Sequence, residues 1–165
     1  IESKDKVVPD AYHGTSRGFA ENIIRTKTFR PSSGHGCYLG DGIYFFEAGK
    51  GHAKWWARKQ HPGTQIAVII AVIQLGRCLD LGNPEHIDLV RLTQKEIEKK
   101  GAPENLTDTA IINFLTCTIG KEIETVRGYF HGSPDRVFPE SKIFEFTHVI
   151  ICVKKHENIL DFRLL

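Results

Sequence analysis

Two short stretches of the sequence hold residue types that could do chemistry. The first is YHGT at 12–15, at the end of a segment with strand composition. The second is GDG at 40–42 followed by IYFF at 43–46. Two glycines separated by one residue indicate a tight turn or a close backbone approach. Tyr44 is then either a core residue or the floor of a pocket, and a lone histidine such as His13 is more often structural.

The order of these stretches resembles the ADP-ribosyltransferase superfamily. YHGTS at 12–16 is followed by LGDGIYF at 39–45, by a helical segment with Ala53 and Trp55, and by an apolar strand ending in LGRCLDL at 75–81. The resemblance is closest to the diphtheria-toxin and poly(ADP-ribose) polymerase branch, whose motifs supply a histidine, a tyrosine and usually a glutamate. It covers about residues 12–81 and is only topological beyond residue 82.

The resemblance implies that NAD is the substrate and gives roles to the matching residues. His13 would hydrogen-bond a ribose hydroxyl of NAD. Gly14, which lacks a Cβ, would offer its backbone to the nicotinamide carboxamide, and Thr15 beside it would also contact NAD. Tyr44 would stack on the nicotinamide ring, since an aromatic face suits a planar heterocycle.

Two further positions follow from counting on from Tyr44 without gaps. Where the polymerase branch has a serine and a second stacking aromatic, this chain has His52 and Trp55. The resemblance implies that His52 donates to the carboxamide and that Trp55 completes an aromatic sandwich. The alternative is that Trp55 and Trp56 belong to a helix that buries one indole ring and half-buries the other.

The third motif departs from the family pattern. Family members place a glutamate at the start of a late strand, where it stabilises an oxocarbenium-like transition state. Here the entry of the late strand, THVIICV at 147–153, is occupied by His148. Polymer formation is therefore in doubt, while transfer of a single ADP-ribose unit stays plausible. Glu140, Glu145 and Glu157 are the carboxylates to consider if the alignment shifts by a few residues.

Arg127 interrupts the predicted strand TVRGYF at 125–130 with a charge. If the strand faces a cleft, the guanidinium of Arg127 could bind the pyrophosphate of NAD, because its fork of donors suits phosphate oxygens. The alternative is a solvent-facing arginine on an edge strand.

The resemblance thus predicts an NAD-dependent mono-ADP-ribosyltransferase that modifies a protein or a nucleic acid, in a toxin or defence setting with a possible antitoxin or carrier domain. The alternatives are an inactive module that binds NAD or ADP-ribose, and an NAD glycohydrolase. A local basic group could hold an RNA or DNA strand, although such a group is usually a solvated helix face: Lys50, Lys54, Arg58 and Lys59.

Composition bounds the class of protein. The chain has 165 residues, 41% hydrophobic and 25% charged, with a formal net charge of +2, values typical of a globular domain with no strong bias toward nucleic acid or anionic membrane. No membrane-spanning segment and no metal site is expected. The four cysteines are scattered and are interpreted as reduced core thiols of a cytoplasmic protein.

Hydrophobic periodicity and helix-capping residues predict the strands and helices that must position these residues. Strands are predicted over 7–15, 42–46, 65–76, 124–130 and 147–153, with Pro9 restricting the first to an edge or to its start. Helices are predicted from Ser16 through Arg25, over 48–60, from Asn83-Pro84, from a capping box at 93–96 up to Gly101, and over 108–119 before Gly120. The result is a single α+β domain over 1–165. The resemblance implies two small antiparallel sheets that form an NAD cleft, flanked by helices.

Overall fold

The described part of the chain folds into six strands and four helices. The computed structural model describes residues 1, 3–101, 106–119, 122–132, 135–145 and 147–165. The strands are β1 (Ser3–Ser16), β2 (Ile43–Glu47), β3 (Ile66–Asp80), β4 (Thr125–His131), β5 (Thr147–Val153) and β6 (Ile159–Leu164). The helices are α1 (Arg17–Thr26), α2 (Lys50–Gln60), α3 (Pro84–Lys99) and α4 (Asp108–Phe114), with a π-helical segment, Leu115–Ile119, and a 3₁₀ turn, His156–Asn158. The α+β class is confirmed.

The strands form one mixed sheet. Its order is β1-β2-β5-β4-β3-β6, and β1 also pairs with β3, so the first five strands close into a ring. Every pairing is antiparallel except that of β3 with β4. The expected two antiparallel sheets are therefore merged into one in the described residues. The reason is the length of β3, whose first part pairs with β1 and β6 and whose last residues pair with β4.

Strand β3 is central, as its continuous apolar run predicts. It pairs with β1 over most of its length, with β6 through residues 69–73 and with β4 through residues 78–80. Ile69 and Ile73 are fully buried. A strand covered on both faces needs no polar alternation, which is why this one reads as an unbroken apolar run.

Strand β1 differs from its prediction. It pairs with β2 and with β3, so it is not an edge strand, although Pro9 lies within it. The register against β3 shifts between Val8 and Ala11. This irregularity accommodates a proline that cannot donate a ladder hydrogen bond.

Local helix signals are mostly confirmed. Ser16 caps α1 by accepting from the backbone N–H of Phe19, and Asn83 caps α3 by accepting from that of Glu85. The predicted restart at 93–96 is wrong, because α3 runs without interruption to Lys99. The hydroxyl of Thr93 donates to the carbonyl of Leu89 one turn earlier, and this bond replaces the capping role.

Three further expectations differ from the structure. The helix expected over 108–119 becomes π-helical after Phe114, and its expected stop at Gly120 lies outside the described residues. Strand β6 was not predicted. All four cysteines are free, but Cys117 is exposed while Cys37, Cys78 and Cys152 are buried, so one of the four thiols is not a core residue.

The core lies on both faces of the strand ring. One cluster joins β1, β2, β3, β5 and β6 to α1 on what we call the inner face, which carries Phe45 and Ile151. The opposite, outer face carries Tyr44 and Phe46. It is covered on one side by α3 and α4, which pack near Val126, and on the other side by α2. Among the described residues, no helix is long and apolar enough to cross a membrane.

Candidate functional site

Strand register decides which predicted residues can meet. Tyr12 lies opposite Phe46 on β2, and Phe46 lies opposite Ile150 on β5. Because side chains alternate along a strand, Tyr44 shares the outer face with Phe46 and Ile150. His13 is turned to the inner face, where its ring lies 5.6 Å from that of Phe45.

The turn at 40–42 holds the phenol of Tyr44. The hydroxyl of Tyr44 donates to the carbonyl of Gly40 (2.5 Å) and accepts from the backbone N–H of Leu39 (3.2 Å). The ammonium of Lys154 fastens the same turn by donating to the carbonyls of Leu39 and Asp41, at 2.7 and 2.6 Å. Burial raises the pKa of the Tyr44 phenol, so this hydroxyl stays protonated.

Gly40 and Gly42 are needed in this turn for different reasons. Gly40 has φ of 75°, a left-handed conformation that favours glycine. A Cβ on Gly42 would lie 2.5 Å from Sγ of Cys152. The glycine pair therefore brings the start of β2 against β5 and leaves the Tyr44 ring on the outer face.

His52 and His148 meet on this face although 96 positions separate them. Their ring centroids lie 5.2 Å apart. Phe46 adjoins both rings, at 5.9 Å from that of His52 and 5.4 Å from that of His148. Phe130 lies on the other side of His148, at 6.1 Å. Helix α2 and strand β5 thus bring together two residues that the sequence predicts for one site.

Half-buried apolar side chains line the outer face between α2 and the segment that carries α4. Tyr44, Ile150 and Phe130 are only partly buried, although they pack against the buried clusters below them. Tyr38, beyond Phe130, is 53% exposed. The face between the two helices is therefore an apolar, partly open strip with His148 near its centre. Sequence reasoning missed Phe46, Phe130, Ile150 and Tyr38, although strand alternation from Tyr44 indicates Phe46.

Gly14 allows α2 to approach the strand ring. A Cβ on Gly14 would lie 1.9 Å from the carbonyl oxygen of Ala53, a contact that atoms cannot make. Helix packing therefore requires glycine here, and this requirement is independent of any ligand. Because Ala53 follows His52 directly, the same contact fixes the position of His52.

His13 is linked to the site through the backbone. Its Nδ1 donates to the carbonyl oxygen of Tyr44 at 2.9 Å, and its ring packs edge-on against Phe29 at 5.4 Å. Burial lowers the pKa of His13, which favours the neutral ring. Since the carbonyl can only accept, Nδ1 carries the proton and Nε2 is the acceptor. In this tautomer, Nε2 of His13 can accept a hydrogen bond from a hydroxyl group.

Thr15 and Trp55 lie at the edges of the site. Thr15 is buried, and its hydroxyl lies 3.5 Å from Nε2 of His61. Trp55 is 42% exposed and Trp56 is 38% exposed, so neither indole is buried, unlike the helix-burial alternative. The rings of Trp55 and Trp56 contact each other with centroids 6.2 Å apart.

Arg127 is held by two carboxylates on the inner face. Its guanidinium binds Glu47 with both arms, at 2.6 and 2.9 Å, and lies 3.4 Å from Asp80. The three side chains are between 11% and 17% exposed. Tyr129 donates to Asp80 and contacts the guanidinium. Hydrogen bonding to Glu47 raises the pKa of Arg127. These contacts neutralise the charge that a pyrophosphate would need.

The other candidate carboxylates lie on the surface. Glu140, Glu145 and Glu157 are all exposed. The backbone N–H of Glu145 donates to the carbonyl of Asp135. In the part of the chain that the structure describes, no group of three His, Cys, Asp or Glu side chains is placed to hold a metal ion.

A separate cleft of about 550 Å³ opens at the other end of β2. Its walls come from the segment after α1, the start of β2 and the end of β5. It does not include His52 or His148. The lining residues are Lys27, Thr28, Phe29, Pro31, Asp41, Gly42, Ile43, Val153, Lys154 and His156.

Comparison with known proteins gives one relative. The chain is 37% identical over 117 residues to the "Uncharacterized protein MJ0359" of Methanocaldococcus jannaschii. The match covers 63% of this chain and 54% of the relative, so the chain spans about half the length of the curated relative it matches. No family model and no solved structure matches the chain.

Proposed function

We propose that this chain is an NAD-dependent mono-ADP-ribosyltransferase whose nicotinamide site lies on the outer face beside His52 and His148. The observation that carries the proposal is the 5.2 Å contact between these two rings. The resemblance puts His52 at the carboxamide-binding position and His148 at the third motif. His52 and His148, which the resemblance assigns to one site from two distant segments, are thus neighbours in space, and both lie next to Phe46. His52 also directly precedes Ala53, the residue that Gly14 contacts.

The roles follow from what each group offers. The Tyr44 ring provides an aromatic surface for the nicotinamide, and the adjoining half-buried strip excludes water from one side of it. His52 donates to the carboxamide. His148 hydrogen-bonds a hydroxyl of the nicotinamide ribose. His13 is left out of the proposed site, because its ring lies on the inner face against Phe29 and Phe45; it supports Tyr44 by donating to the Tyr44 carbonyl.

The reaction needs no covalent enzyme intermediate. The bond between nicotinamide and C1′ of the ribose breaks, and the electron pair leaves with the nicotinamide. A nucleophile of the acceptor forms the new bond to C1′ and releases its proton to solvent. The protein contributes by positioning the two reactants and by excluding water.

The residue at the third motif points to transfer of a single unit. An imidazole can orient a ribose hydroxyl, but when neutral it gives no negative charge to the developing cation. Arg127 is left out of the proposed NAD site because Glu47 and Asp80 already pair with its charge. The predicted stacking of Trp55 on the nicotinamide is not part of this proposal, because its indole is exposed on α2 and contacts Trp56.

The test is transfer of label from NAD that carries radioactive phosphate in its adenylate group. Purified protein is incubated with this NAD and a cell extract, and label is counted in the protein and nucleic-acid fractions. We expect Tyr44→Ala and His148→Ala each to lower transfer about fivefold to thirtyfold, since a lost stacking or hydrogen-bond partner costs roughly 1–2 kcal/mol in the transition state. Tyr44→Phe keeps the ring and is expected to keep most of the transfer.

The matched control is His156→Ala, which changes an exposed histidine away from the outer face. It should transfer label like the wild type, and thermal melting should show that all variants are folded. Wild-type transfer by folded Tyr44→Ala and His148→Ala would contradict the proposed site.

The alternative functions give different readouts in the same experiment. Release of nicotinamide without label in any macromolecule would indicate NAD hydrolysis. Binding of NAD in calorimetry without release of nicotinamide would indicate a binding module.

A further inference from the structure

We propose that the acceptor is a single-stranded nucleic acid held on the exposed surface of helix α2. This inference rests on the proposed transferase function for the chemistry, but the binding itself does not depend on NAD. We call the surface the α2 face; its residues are Lys50, Lys54, Trp55, Trp56, Arg58 and Lys59, and all of them are exposed.

Charge on this helix is strongly one-sided. The sequence of α2, KGHAKWWARKQ, contains four Lys and Arg residues, one His and no acidic residue. The whole chain has 22 Lys and Arg against 20 Asp and Glu, so the rest of the chain has more acidic than basic residues. A local positive surface on a nearly neutral protein attracts a phosphate backbone at short range.

Two indole rings lie exposed among these charges. Trp55 and Trp56 are 42% and 38% exposed, and their planes are inclined at 44°. The ammonium of Lys59 lies 5.2 Å from the ring centre of Trp55 and 6.0 Å from that of Trp56. Flat rings beside a cation match the two parts of a nucleotide, because bases stack on aromatic faces and phosphates pair with lysine.

The same helix carries this face and part of the proposed site. Trp55 and Trp56 follow His52 by three and four positions, which places them about one helical turn from it. A strand stacked on the indoles therefore has a nucleotide next to the pair formed by His52 and His148. Beyond the other end of α2, Phe19 is 58% exposed and lies 5.7 Å from the ring of His61, which extends the aromatic surface.

A single strand suits this face better than a duplex or an acidic protein. The faces of bases are accessible only when the bases are unpaired and unstacked. An acidic protein surface would match the lysines but would leave both indoles without a flat partner. Whether the strand is RNA or DNA is an outcome of the experiment.

Binding is measured without NAD, by fluorescence anisotropy of labelled RNA and DNA of about 20 nucleotides and mixed sequence. We expect saturable binding that weakens between about 50 mM and about 200 mM salt. Trp55→Ala should weaken binding about fivefold or more, since stacking of one base is worth about 1–3 kcal/mol. At low salt, Lys59→Glu should weaken binding more than Trp55→Ala does. The only two tryptophans of the chain lie on this face, so intrinsic fluorescence should change on binding.

The matched control is Lys95→Glu, which makes the same charge change at an exposed position of α3 and should bind like the wild type. Three results would each overturn the inference. These are absence of saturable binding at low salt, equal weakening by Lys95→Glu and Lys59→Glu, and duplex binding as tight as that of the single strand.

A second arm adds radioactive NAD and asks where the label goes. Label in the oligonucleotide supports both proposals. Oligonucleotide binding without label in any acceptor keeps the α2 face and rejects the transferase. Label in protein, with no binding of oligonucleotides, keeps the transferase and rejects nucleic acid as its acceptor.

Discussion

At the scale of single residues, the site depends on which face of a strand each side chain takes. His13 and Tyr44 belong to motifs that the resemblance assigns to one ligand, yet their side chains lie on opposite faces of the strand ring. The bond from His13 Nδ1 to the Tyr44 carbonyl joins them through the backbone. A sequence supplies residue types and alternation within a strand, but the register between β1 and β2 depends on the whole ring.

The buried, neutral state of His13 gives a prediction about pH. Because its pKa is lowered in the folded protein, the unfolded chain takes up a proton at a higher pH than the folded chain. The free energy of unfolding should therefore fall as pH drops below about 6.5. His13→Asn can still donate to the Tyr44 carbonyl but cannot be protonated, so this part of the pH dependence should disappear.

Urea unfolding between about pH 7.5 and about pH 5.5 measures this effect. His35→Asn, in an exposed loop, leaves His13 in place and should keep the wild-type slope. An unchanged slope in His13→Asn would show that His13 is not held in the neutral form.

At the scale of elements, helix α2 is central to both proposals, because it carries His52 and the α2 face. Its approach to β1 depends on Gly14, and Gly14→Ala would force the helix backbone away from the strand. We expect this substitution to lower the free energy of unfolding by about 1–3 kcal/mol or more, as overpacking does. Transfer activity should fall as well, because His52 moves with the helix.

Gly51→Ala is the matched control on the same helix. A Cβ on Gly51 meets no atom within 4 Å, and alanine favours a helix over glycine by up to about 1 kcal/mol. Chemical denaturation should therefore show unchanged or increased stability for Gly51→Ala. Equal destabilisation by both substitutions would mean that the contact of Gly14 with Ala53 is not the cause.

Element prediction succeeded where local chemistry decides. Ser16 and Asn83 cap their helices through contacts within three residues, and the apolar run of β3 marks a strand covered on both sides. It failed where partners are distant. The sequence of β6, ILDFRL, gives only a short alternation of Leu160, Phe162 and Leu164 with Asp161 and Arg163. The segment becomes a strand because an edge of β3 is open to it. The merging of the expected sheets has the same origin, since no local signal tells how far β3 extends past its neighbours.

The candidate site was predictable in part for the same reason. The resemblance implies that Tyr44, His52 and His148 belong to one site, and the latter two are neighbours in the structure. The pairing of Arg127 with Glu47 joins positions 80 residues apart, so its inner-face location could not be read from the strand that carries it.

At the scale of the whole molecule, the last strand completes the inner core. The ring of Phe162 lies 4.9 Å from that of Phe29, and the ammonium of Lys27 lies over it at 5.3 Å. Phe29 in turn contacts His13 and Phe45. The C-terminal strand is thereby connected to the first motif.

Removal of this contact should destabilise the whole fold. We expect Phe162→Ala to lower the free energy of unfolding by about 2–3 kcal/mol, because it opens a cavity next to Phe29. Leu160→Ala, at a 51% exposed position of the same strand, should cost less than about 0.5 kcal/mol. Urea unfolding followed by fluorescence and by circular dichroism should show one coincident transition for each variant. Separate transitions would mean that β6 folds independently of the ring.

The anchoring of the Tyr44 phenol affects how a ligand would be received. The hydroxyl hydrogen-bonds the backbone of Leu39 and Gly40, and Lys154 donates to two carbonyls of the same turn. These hydrogen bonds therefore fix the Tyr44 ring in one orientation before a flat ligand binds. A preorganised surface of this kind loses little entropy on binding, so free and liganded forms should share one orientation of this aromatic side chain.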